Sequence, residues 1–516
     1  MPRRRGRGWW QALLVAVLAA LLSAGAIAFF HREGSLLFYG DAVAHINIAR
    51  RVTDSRTPGP KQIGTVWLPL PHAAMLPLVH RDDLWRNGLA GAVPSAAAFV
   101  LAAVCLFLAA RRIYGSGMAG ALAAALFAFN PNLLYLQSVP MTEALWLGCF
   151  ALTLYGIAVF MSRPRAWLAL LAGLTAACGS LTRYEGWWML PFFALAILWT
   201  GGRRRWGYTL LFVCAAGLGP LAWFAHNWWF WGDALEFYRG PWSAHAIQGA
   251  GRYPGRGDWA GAFQQYGVAA WHCAGAGLTA VGAAGAAVAL WRRHWKALAL
   301  LACPPAFYVA SVHSGGTPIY VPDLEPFSYY NTRYGTAILP LLAVAGGGLA
   351  LLRGRWLPLV ALGVSLGFWL AQPDPEAWIV RKEAEVNSTA RRAWTSEAAR
   401  FLSSRYTPGS GILMTFGDLT GVLQQAGIPL RETLTWDADV VWHAAVARPD
   451  LFLRDEWAIT IAGDPVHTAI LRTELDGPRY TLQRRIVVRN APVIEIFRRD
   501  SQRGLREQFS DPRDDE

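Results

Sequence analysis

Long apolar segments recur along the chain from residue 9 to about residue 372, and short polar stretches separate them. Most of the segments approach the ~20 residues that a helix needs to cross a bilayer. We therefore predict about eleven membrane-spanning helices, at roughly 9–30, 87–110, 116–135, 140–161, 166–181, 185–200, 207–230, 264–291, 296–312, 334–352 and 355–372. The first follows an Arg cluster, so it is either a cleaved signal peptide or an anchor. We favour an uncleaved anchor because its length suffices to span a membrane.

The pattern changes after residue 372, where the chain becomes charged and polar. A helix is predicted at Ser396–Ser404, and β-rich runs at Ile412–Phe416, Trp457–Ala462 and Tyr480–Phe497 predict strands, the last run being two. The fold class is thus an all-α polytopic membrane protein with a small C-terminal α/β domain outside the cytoplasm. The predicted domains are a membrane domain at 1–372, with a first external loop at 31–86, an α/β domain at 373–498, and a disordered tail at 499–516.

The composition fits the membrane class, because 54% of the residues are hydrophobic and only 16% are charged. The net charge of +13 would suit binding to nucleic acid or to anionic lipid. It could also reflect only the orientation of the chain in the membrane, and the positions of the basic residues decide between these explanations. Basic clusters fall in alternate gaps between the predicted spans, at Arg111 and Arg112, Arg163 and Arg165, Arg203 to Arg205, Arg292 to Lys296, and Arg353 and Arg355. The positive-inside rule puts these gaps and the N-terminus in the cytoplasm. We therefore expect a multi-pass protein of a bacterial-type cytoplasmic (inner) membrane, with lipids and not nucleic acid as partners.

The same alternation predicts which segments share the outer face. They are residues 31–86, 131–140, 182–186, 231–263, 313–333 and the C-terminal region. The chain has no P-loop, no GxSxG, no HExxH and no dinucleotide fingerprint. An activated substrate must therefore reach the outer face without a nucleotide, and a donor linked to a lipid phosphate meets this condition.

Asp41 follows the first apolar segment and precedes a short amphipathic helix. It could cap that helix by accepting backbone N–H bonds, or it could be a reactive carboxylate. His45 lies four residues on, so both side chains share one helix face. Such a pair could bind a metal, pass a proton or form a hydrogen bond. No cofactor is indicated by the sequence, and a divalent metal is an open option.

Glu143 stands at the outer mouth of the fourth predicted span, where a carboxylate either faces a cavity or interacts with the helix dipole. Arg183, Tyr184 and Glu185 form the polar tip between the fifth and sixth spans. Arg183 could pair with Glu185, or its guanidinium could bind a phosphate through two hydrogen bonds.

Two outer loops add further candidates. Arg239 lies in the loop 231–263, and Arg333 begins the tenth predicted span. Arg333 could be an interfacial residue that snorkels, or a ligand of a phosphate. Tyr330 offers an aromatic surface for a sugar or a lipid tail. Trp67 and His72 belong to a proline-rich segment that fits either a lipid-facing groove wall or a packed lid.

These motifs resemble the GT-C superfamily of integral-membrane glycosyltransferases. The branch is that of the dolichyl-phosphate-mannose protein mannosyltransferases and the bacterial lipid A aminoarabinose transferase-like enzymes. The resemblance covers roughly residues 10–372, and four segments carry it: Tyr39–His45, Pro140–Glu143, Thr182–Gly186 and Asn331–Tyr334. One position departs from the pattern, because Ala42 follows Asp41 where the protein mannosyltransferases have a second acidic residue.

The resemblance implies a transferase that uses a polyprenyl-phosphate sugar, with a lipid, glycan or protein as acceptor and inversion at the anomeric carbon. By analogy Asp41 is the general base and Glu143 is catalytic, while Arg183, Arg239 and Arg333 contact the donor phosphate. His45, Trp67, His72, Tyr184, Glu185 and Tyr330 would bind substrate. Two other classes stay open: a transporter or flippase of lipid-linked glycans, and a non-catalytic envelope assembly protein.

Overall fold

The computed structural model describes residues 7–248, 251–438, 440–473 and 479–500. Residues 501–516, which are most of the predicted disordered tail, lie outside this part. The chain divides into two compact units. The first unit comprises Met1–Leu37, Thr65–Met75 and Leu89–Val386, and the second comprises Phe38–Gly64, Leu76–Gly88 and Asn387–Glu516. Much of the predicted first external loop therefore groups with the C-terminal segment.

The first part of the chain is helical almost throughout. Its helices are α1 Arg7–Glu33, α2 Gly40–Arg51, α3 Pro69–Val79, α4 Asp82–Asn87, α5 Leu89–Tyr114, α6 Gly117–Ala128, α7 Pro131–Leu136, α8 Glu143–Ser162, α9 Ala166–Ser180, α10 Tyr184–Thr200, α11 Arg205–Trp231, α12 Glu236–Arg239, α13 Ala244–Gln248, α14 Trp259–Trp291, α15 Trp295–Ser314, α16 Leu339–Gly347 and α17 Leu357–Leu370. Short 3-10 helices at Thr332–Ile338 and Gly348–Leu351 flank α16.

Seven helices in the described residues are long and apolar enough to cross a membrane. They are Trp9–Glu33, Leu89–Tyr114, Glu143–Ser162, Gly202–Trp231, Trp259–Trp291, Trp295–Ser314 and Thr332–Leu351. The apolar helices α6, α9 and α17 are shorter, and together with α10 they account for the other predicted spans. The prediction of a multi-pass helical membrane protein is confirmed, while the number of crossings and the orientation stay predictions.

Helix α14 is broken at Gly275, whose φ of 73° and ψ of 156° are not helical. A Cβ at this position would lie 2.6 Å from the ring of Phe368, so only glycine lets α17 approach the break this closely. The long apolar segment therefore runs as two helical pieces.

The second unit contains a small mixed sheet. Its strands are β1 Ile412–Met414, β2 Thr433–Leu434, β3 Trp457–Ile461, β4 Tyr480–Ile486 and β5 Ile494–Arg499. The remaining helices of the chain are α18 Ile379–Ser403, whose residues up to Val386 belong to the first unit, α19 Thr420–Ala426, α20 Val440–Ala447, α21 Pro449–Phe452 and α22 Pro465–Arg472. The strand order is β2-β1-β3-β5-β4. β1 pairs in parallel with β2 and β3, whereas β5 is antiparallel to β3 and β4. The predicted small C-terminal α/β fold is confirmed, with β2 as a strand that the sequence did not predict.

Candidate active site

Three glutamates and two arginines form a buried cluster in the first unit, which we call the charge network: Glu143, Arg183, Glu185, Arg333 and Glu383. Glu143 begins α8, Arg183 is the N-cap residue of α10, and Arg333 lies in the 3-10 helix that precedes α16. Arg183, Arg333 and Glu383 come from three segments predicted to share the outer face, and they meet at Glu143, at the predicted outer mouth of the fourth span. The side of the membrane stays a prediction.

Arg183 uses all three guanidinium nitrogens. Its Nε donates to Glu185 Oε1 at 2.6 Å, its Nη1 donates to Thr142 Oγ1 at 2.6 Å, and its Nη2 donates to the Tyr308 hydroxyl at 3.1 Å. Nη1 also lies 3.0 Å from Glu143 Oε1. The pairing of Arg183 with Glu185 that the sequence left open is therefore present, and it is one part of a larger network.

Arg333 connects Glu143 to Glu383. Its Nε donates to Glu143 Oε1 at 3.1 Å, and its Nη1 donates to Glu383 Oε1 at 3.0 Å. Glu383 is 1% exposed, and it also accepts hydrogen bonds from the backbone N–H of Thr332 at 2.6 Å and from the Thr332 hydroxyl. Burial raises the pKa of the Glu383 carboxyl, and the neighbouring Arg333 and Thr332 oppose this shift.

Tyrosine rings fill the space around the two arginines. The ring of Tyr334 lies 5.1 Å from the guanidinium of Arg183 and 4.9 Å from that of Arg333, within the range of cation–π attraction. Tyr308 stacks on Tyr334 with ring centroids 4.9 Å apart, and its hydroxyl donates to Glu185. The Tyr334 ring therefore attracts both guanidinium groups.

Glu383 and Tyr308 were not predicted from the sequence. Glu383 lies in a stretch rich in charged residues, Arg381-Lys382-Glu383-Ala384-Glu385, which is typical of a solvated helix face. Tyr308 lies inside an apolar span, where a hydroxyl buried among hydrophobic residues was a signal that could have been used.

The predicted substrate-binding residues of the proline-rich segment are held by the tip that carries Arg183. Leu70 N–H donates to Leu181 O at 3.0 Å, and the Tyr184 hydroxyl donates to Val66 O at 2.9 Å. Trp67 is half-buried and His72 is buried. Segment 65–75 is therefore packed against Leu181 and Tyr184, and the ring of Tyr184 also stacks on Phe237.

Two other candidates lie on exposed surface. The Arg239 side chain is 63% exposed, and its Nη1 lies 3.5 Å from Asp233. Tyr330 is 41% exposed, and its backbone pairs with that of Tyr320. Neither residue belongs to the charge network as defined above.

Asp41 and His45 belong to the second unit and lie in α2. The N-cap residue of α2 is Tyr39, so Asp41 lies inside the first turn and is not the cap. Arg391 Nε and Asp418 Oδ1 both lie 3.9 Å from the position of a Cβ on Gly40. Burial lowers the pKa of the Arg391 guanidinium, while the charges of Asp418 and Asp41 act in the opposite direction.

Within the described ranges, no group of three or more His, Cys, Asp or Glu side chains is arranged to hold a metal ion. In the charge network and beside Asp41, the acidic side chains are instead arranged around arginines. Guanidinium groups bind phosphate and carboxylate, so an anionic ligand of these arginines would displace one of the carboxylates that they now contact.

A sequence model described as dolichyl-phosphate-mannose-protein mannosyltransferase matches residues 84–230. No curated protein matches the chain at a significant level. Among solved structures, ArnT from Cupriavidus metallidurans bound to undecaprenyl phosphate is 13% identical, with a TM-score of 0.57 over 95% of this chain and 98% of that one. The apo state of the same ArnT is 14% identical, with a TM-score of 0.52 over 96% and 98%.

A third match is the Archaeoglobus fulgidus oligosaccharyltransferase tethered to an acceptor peptide. It is 12% identical, with a TM-score of 0.51 over 88% of this chain and 69% of that one. At these identities the structural matches show the fold. Together with the family match they confirm the predicted resemblance to the GT-C membrane glycosyltransferases, and with it the prediction of an enzyme of that type.

Proposed function

We propose that this GT-C-type glycosyltransferase moves a sugar from a polyprenyl-phosphate donor to an acceptor hydroxyl on the outer face of the cytoplasmic membrane. The similarity to an ArnT that binds undecaprenyl phosphate supports the class of donor. The charge network is the observation that carries the proposal, because it gathers two arginines at one end of a helical membrane unit. Charged groups within membrane proteins are costly and usually serve a ligand or a pathway.

The charges of the network and of the donor indicate where the donor phosphate would bind. Glu143 Oε1 lies 3.0 Å from Arg183 Nη1 and 3.1 Å from Arg333 Nε, so one carboxylate oxygen bridges both arginines. A polyprenyl-phosphate sugar is a phosphodiester with a single negative charge. Its phosphate can therefore take the bridging position of the Glu143 carboxylate, so that the two arginines keep one negative charge between them. The displaced Glu143 would then orient the acceptor.

During transfer the negative charge on the donor phosphate grows, so its attraction to the two arginines becomes stronger. The acceptor oxygen attacks the anomeric carbon, the bond from that carbon to the phosphate oxygen breaks, and the configuration inverts. The leaving polyprenyl phosphate carries one more negative charge than the donor. Arg183 and Arg333 are held in place by Glu185 and Glu383 before the reaction, so they can stabilise this developing charge without rearrangement.

Asp41 is the proposed general base that takes the proton of the acceptor hydroxyl. It lies in the first turn of α2 and interacts electrostatically with the half-buried Arg391. Arg391 also donates a 2.5 Å hydrogen bond to Phe38 O, which ties this guanidinium to the residues just before the helix. A fixed cation beside Asp41 would hold its carboxylate in position.

The decisive variant is Asp41→Asn, which removes the base and keeps the shape of the side chain. A general base contributes about 10²–10⁴-fold to rate, so we expect a loss of that size. The measurement incubates purified protein with labelled polyprenyl-phosphate sugars and follows release of the lipid phosphate. Asp83→Asn is the matched control, because Asp83 is an exposed carboxylate paired with Arg81. Full activity of Asp41→Asn would exclude Asp41 as the base.

A further inference from the structure

A second feature of the first unit lies at the ends of the helices opposite to the charge network. A groove of about 510 Å³ runs between α8, α10 and α15. Its lining extends along α8 from Leu154 to Ser162 and along α15 from Trp295 to Cys303. At 1.5 Å per residue each of these stretches is about 12 Å long, which accommodates a large part of a fatty acyl chain.

The walls of the groove are apolar. Ile157, Met161, Leu195 and Leu300 are among the residues that form them. Met161 and Leu195 are more than a third exposed. In a membrane-spanning unit such a wall faces lipid, so an acyl chain is the molecule that fits it.

The rim of the groove is basic. Arg112, Arg293 and Lys296 line it, and none of the described lining residues is a carboxylate. Arg112 Nε donates to Ala158 O at 3.2 Å and so ties α5 to α8 at this end. Lys296 Nζ lies 4.8 Å from the ring of Trp199, and Trp199 contacts Trp295 with centroids 5.8 Å apart. Tryptophan side chains of this kind favour the membrane–water interface.

We propose that this groove is a binding site for an anionic phospholipid. One acyl chain lies along the apolar walls, and the phosphate diester is bound at Arg293 and Lys296 beside the two tryptophans. Two observations point to this occupant: the groove is apolar along stretches of about 12 Å, which hold a large part of an acyl chain, and its cations lie at the rim, where a lipid headgroup would lie. Basic pockets between membrane helices are known to bind such headgroups. The site is separate from the charge network and does not depend on the proposed reaction.

The test titrates delipidated protein in detergent with dioleoylphosphatidylglycerol and counts the bound lipid by native mass spectrometry. Dioleoylphosphatidylcholine serves as the lipid with the same chains and no net charge. We expect the anionic lipid to bind at least tenfold more tightly. Equal binding of both lipids by the unmodified protein would overturn the proposal, whatever the variants do.

The variant Arg293→Gln/Lys296→Gln removes both proposed phosphate ligands. We expect it to bind dioleoylphosphatidylglycerol roughly 30-fold more weakly, as follows from the contribution of two basic residues near a membrane surface. Arg203→Gln/Arg204→Gln is the matched control, because it removes the same charge from exposed residues outside the groove. An equal loss in the control would mean that net charge alone attracts the lipid, and would overturn the site.

A third variant tests the acyl wall. Ala299 is exposed and lines the groove, so Ala299→Trp obstructs the wall while leaving every cation in place. We expect it to lose the tight binding of dioleoylphosphatidylglycerol. The soluble headgroup glycerophosphoglycerol is added as a competitor to the unmodified protein. Displacement of the lipid by an equal concentration of this headgroup would identify a simple anion site and contradict the proposal.

Discussion

One carboxylate oxygen of Glu143 lies within 3.1 Å of nitrogens from both Arg183 and Arg333. The side chains of Glu143 and Arg333 are only 5% and 7% exposed. A buried ion pair contributes little net stability, yet removal of one partner leaves an uncompensated charge. At the scale of the residue, the network therefore depends on every member being present.

Arg333→Gln should lower the free energy of unfolding by about 3–5 kcal/mol, because it leaves Glu143 and Glu383 without this cation. The double variant Arg333→Gln/Glu383→Gln should lose less than the sum of the two single variants, since it removes one of the stranded charges. The measurement is a double-mutant cycle by SDS titration in mixed micelles.

Arg239→Gln is the control for this cycle. Arg239 is an exposed arginine with a 3.5 Å contact to Asp233, and exposed pairs contribute little. Strict additivity of Arg333→Gln and Glu383→Gln would mean that the two side chains do not stabilise each other.

The sequence predicted the members of the network that interrupt an apolar pattern. Glu143, Arg183 and Arg333 stand out because each lies where a hydrophobic segment begins. Glu383 lies among other charges, so its burial depends on tertiary contacts with Thr332 and Arg333 that no local pattern encodes. For the same reason the sequence could not determine that a carboxylate bridges the two arginines.

At the scale of the element, the segments that carry the network are held by close backbone approaches. A Cβ on Gly186 would lie 2.4 Å from the carbonyl oxygen of Gly179, and one on Gly335 would lie 2.4 Å from that of Ala269. Small residues let membrane helices approach each other in this way. Gly186 lies three residues after Arg183 and Gly335 two residues after Arg333, so these contacts fix the positions of both arginines.

Gly186→Ala should destabilise the protein by about 1–3 kcal/mol, because backbone atoms must move to make room for the methyl group. The same movement shifts Arg183 and Glu185, so we expect transfer activity to fall as well. Gly207→Ala is the control, since it is also a helical glycine and no atom lies within 4 Å of its Cβ position. Both variants are compared by unfolding midpoint and by release of lipid phosphate. Unchanged stability and activity of Gly186→Ala would contradict the tight approach.

Element positions were easier to predict than element lengths. All the predicted apolar segments are helical, because a long hydrophobic run indicates a membrane span, where the backbone must satisfy its own hydrogen bonds. By contrast, α18 extends over Ile379–Ser403, whereas the sequence predicted only Ser396–Ser404. Its first half is charged and resembles a loop, and it is held by contacts such as the 2.7 Å ion pair of Arg381 with Glu33.

At the scale of the whole molecule, the polar ends of the helices differ in chemistry. The charge network mixes acidic and basic side chains, whereas the gaps at residues 111–116, 163–165, 201–205 and 292–296 contain basic residues and no acidic ones. The positive-inside rule assigns the purely basic end to the cytoplasm. This assignment can be tested without any substrate.

One added cysteine, placed at Arg252 or at Arg204, reports which side of the membrane that residue faces. Both residues are exposed. We expect Arg252→Cys to react with a membrane-impermeant maleimide in spheroplasts, and Arg204→Cys to react only after permeabilisation. The unmodified protein, with its six native cysteines, gives the background. The reverse labelling pattern would place the charge network on the cytoplasmic side.

The wide separation of the network along the chain has a consequence for biogenesis. Glu143 and Arg333 are 190 residues apart. At about 5–20 residues per second, roughly 10–40 s of synthesis separate the two side chains. For most of this time Arg183 has been made but Arg333 has not, and Glu383 emerges later still. The charged end of the membrane unit is therefore assembled last, after the apolar parts of its helices have been made.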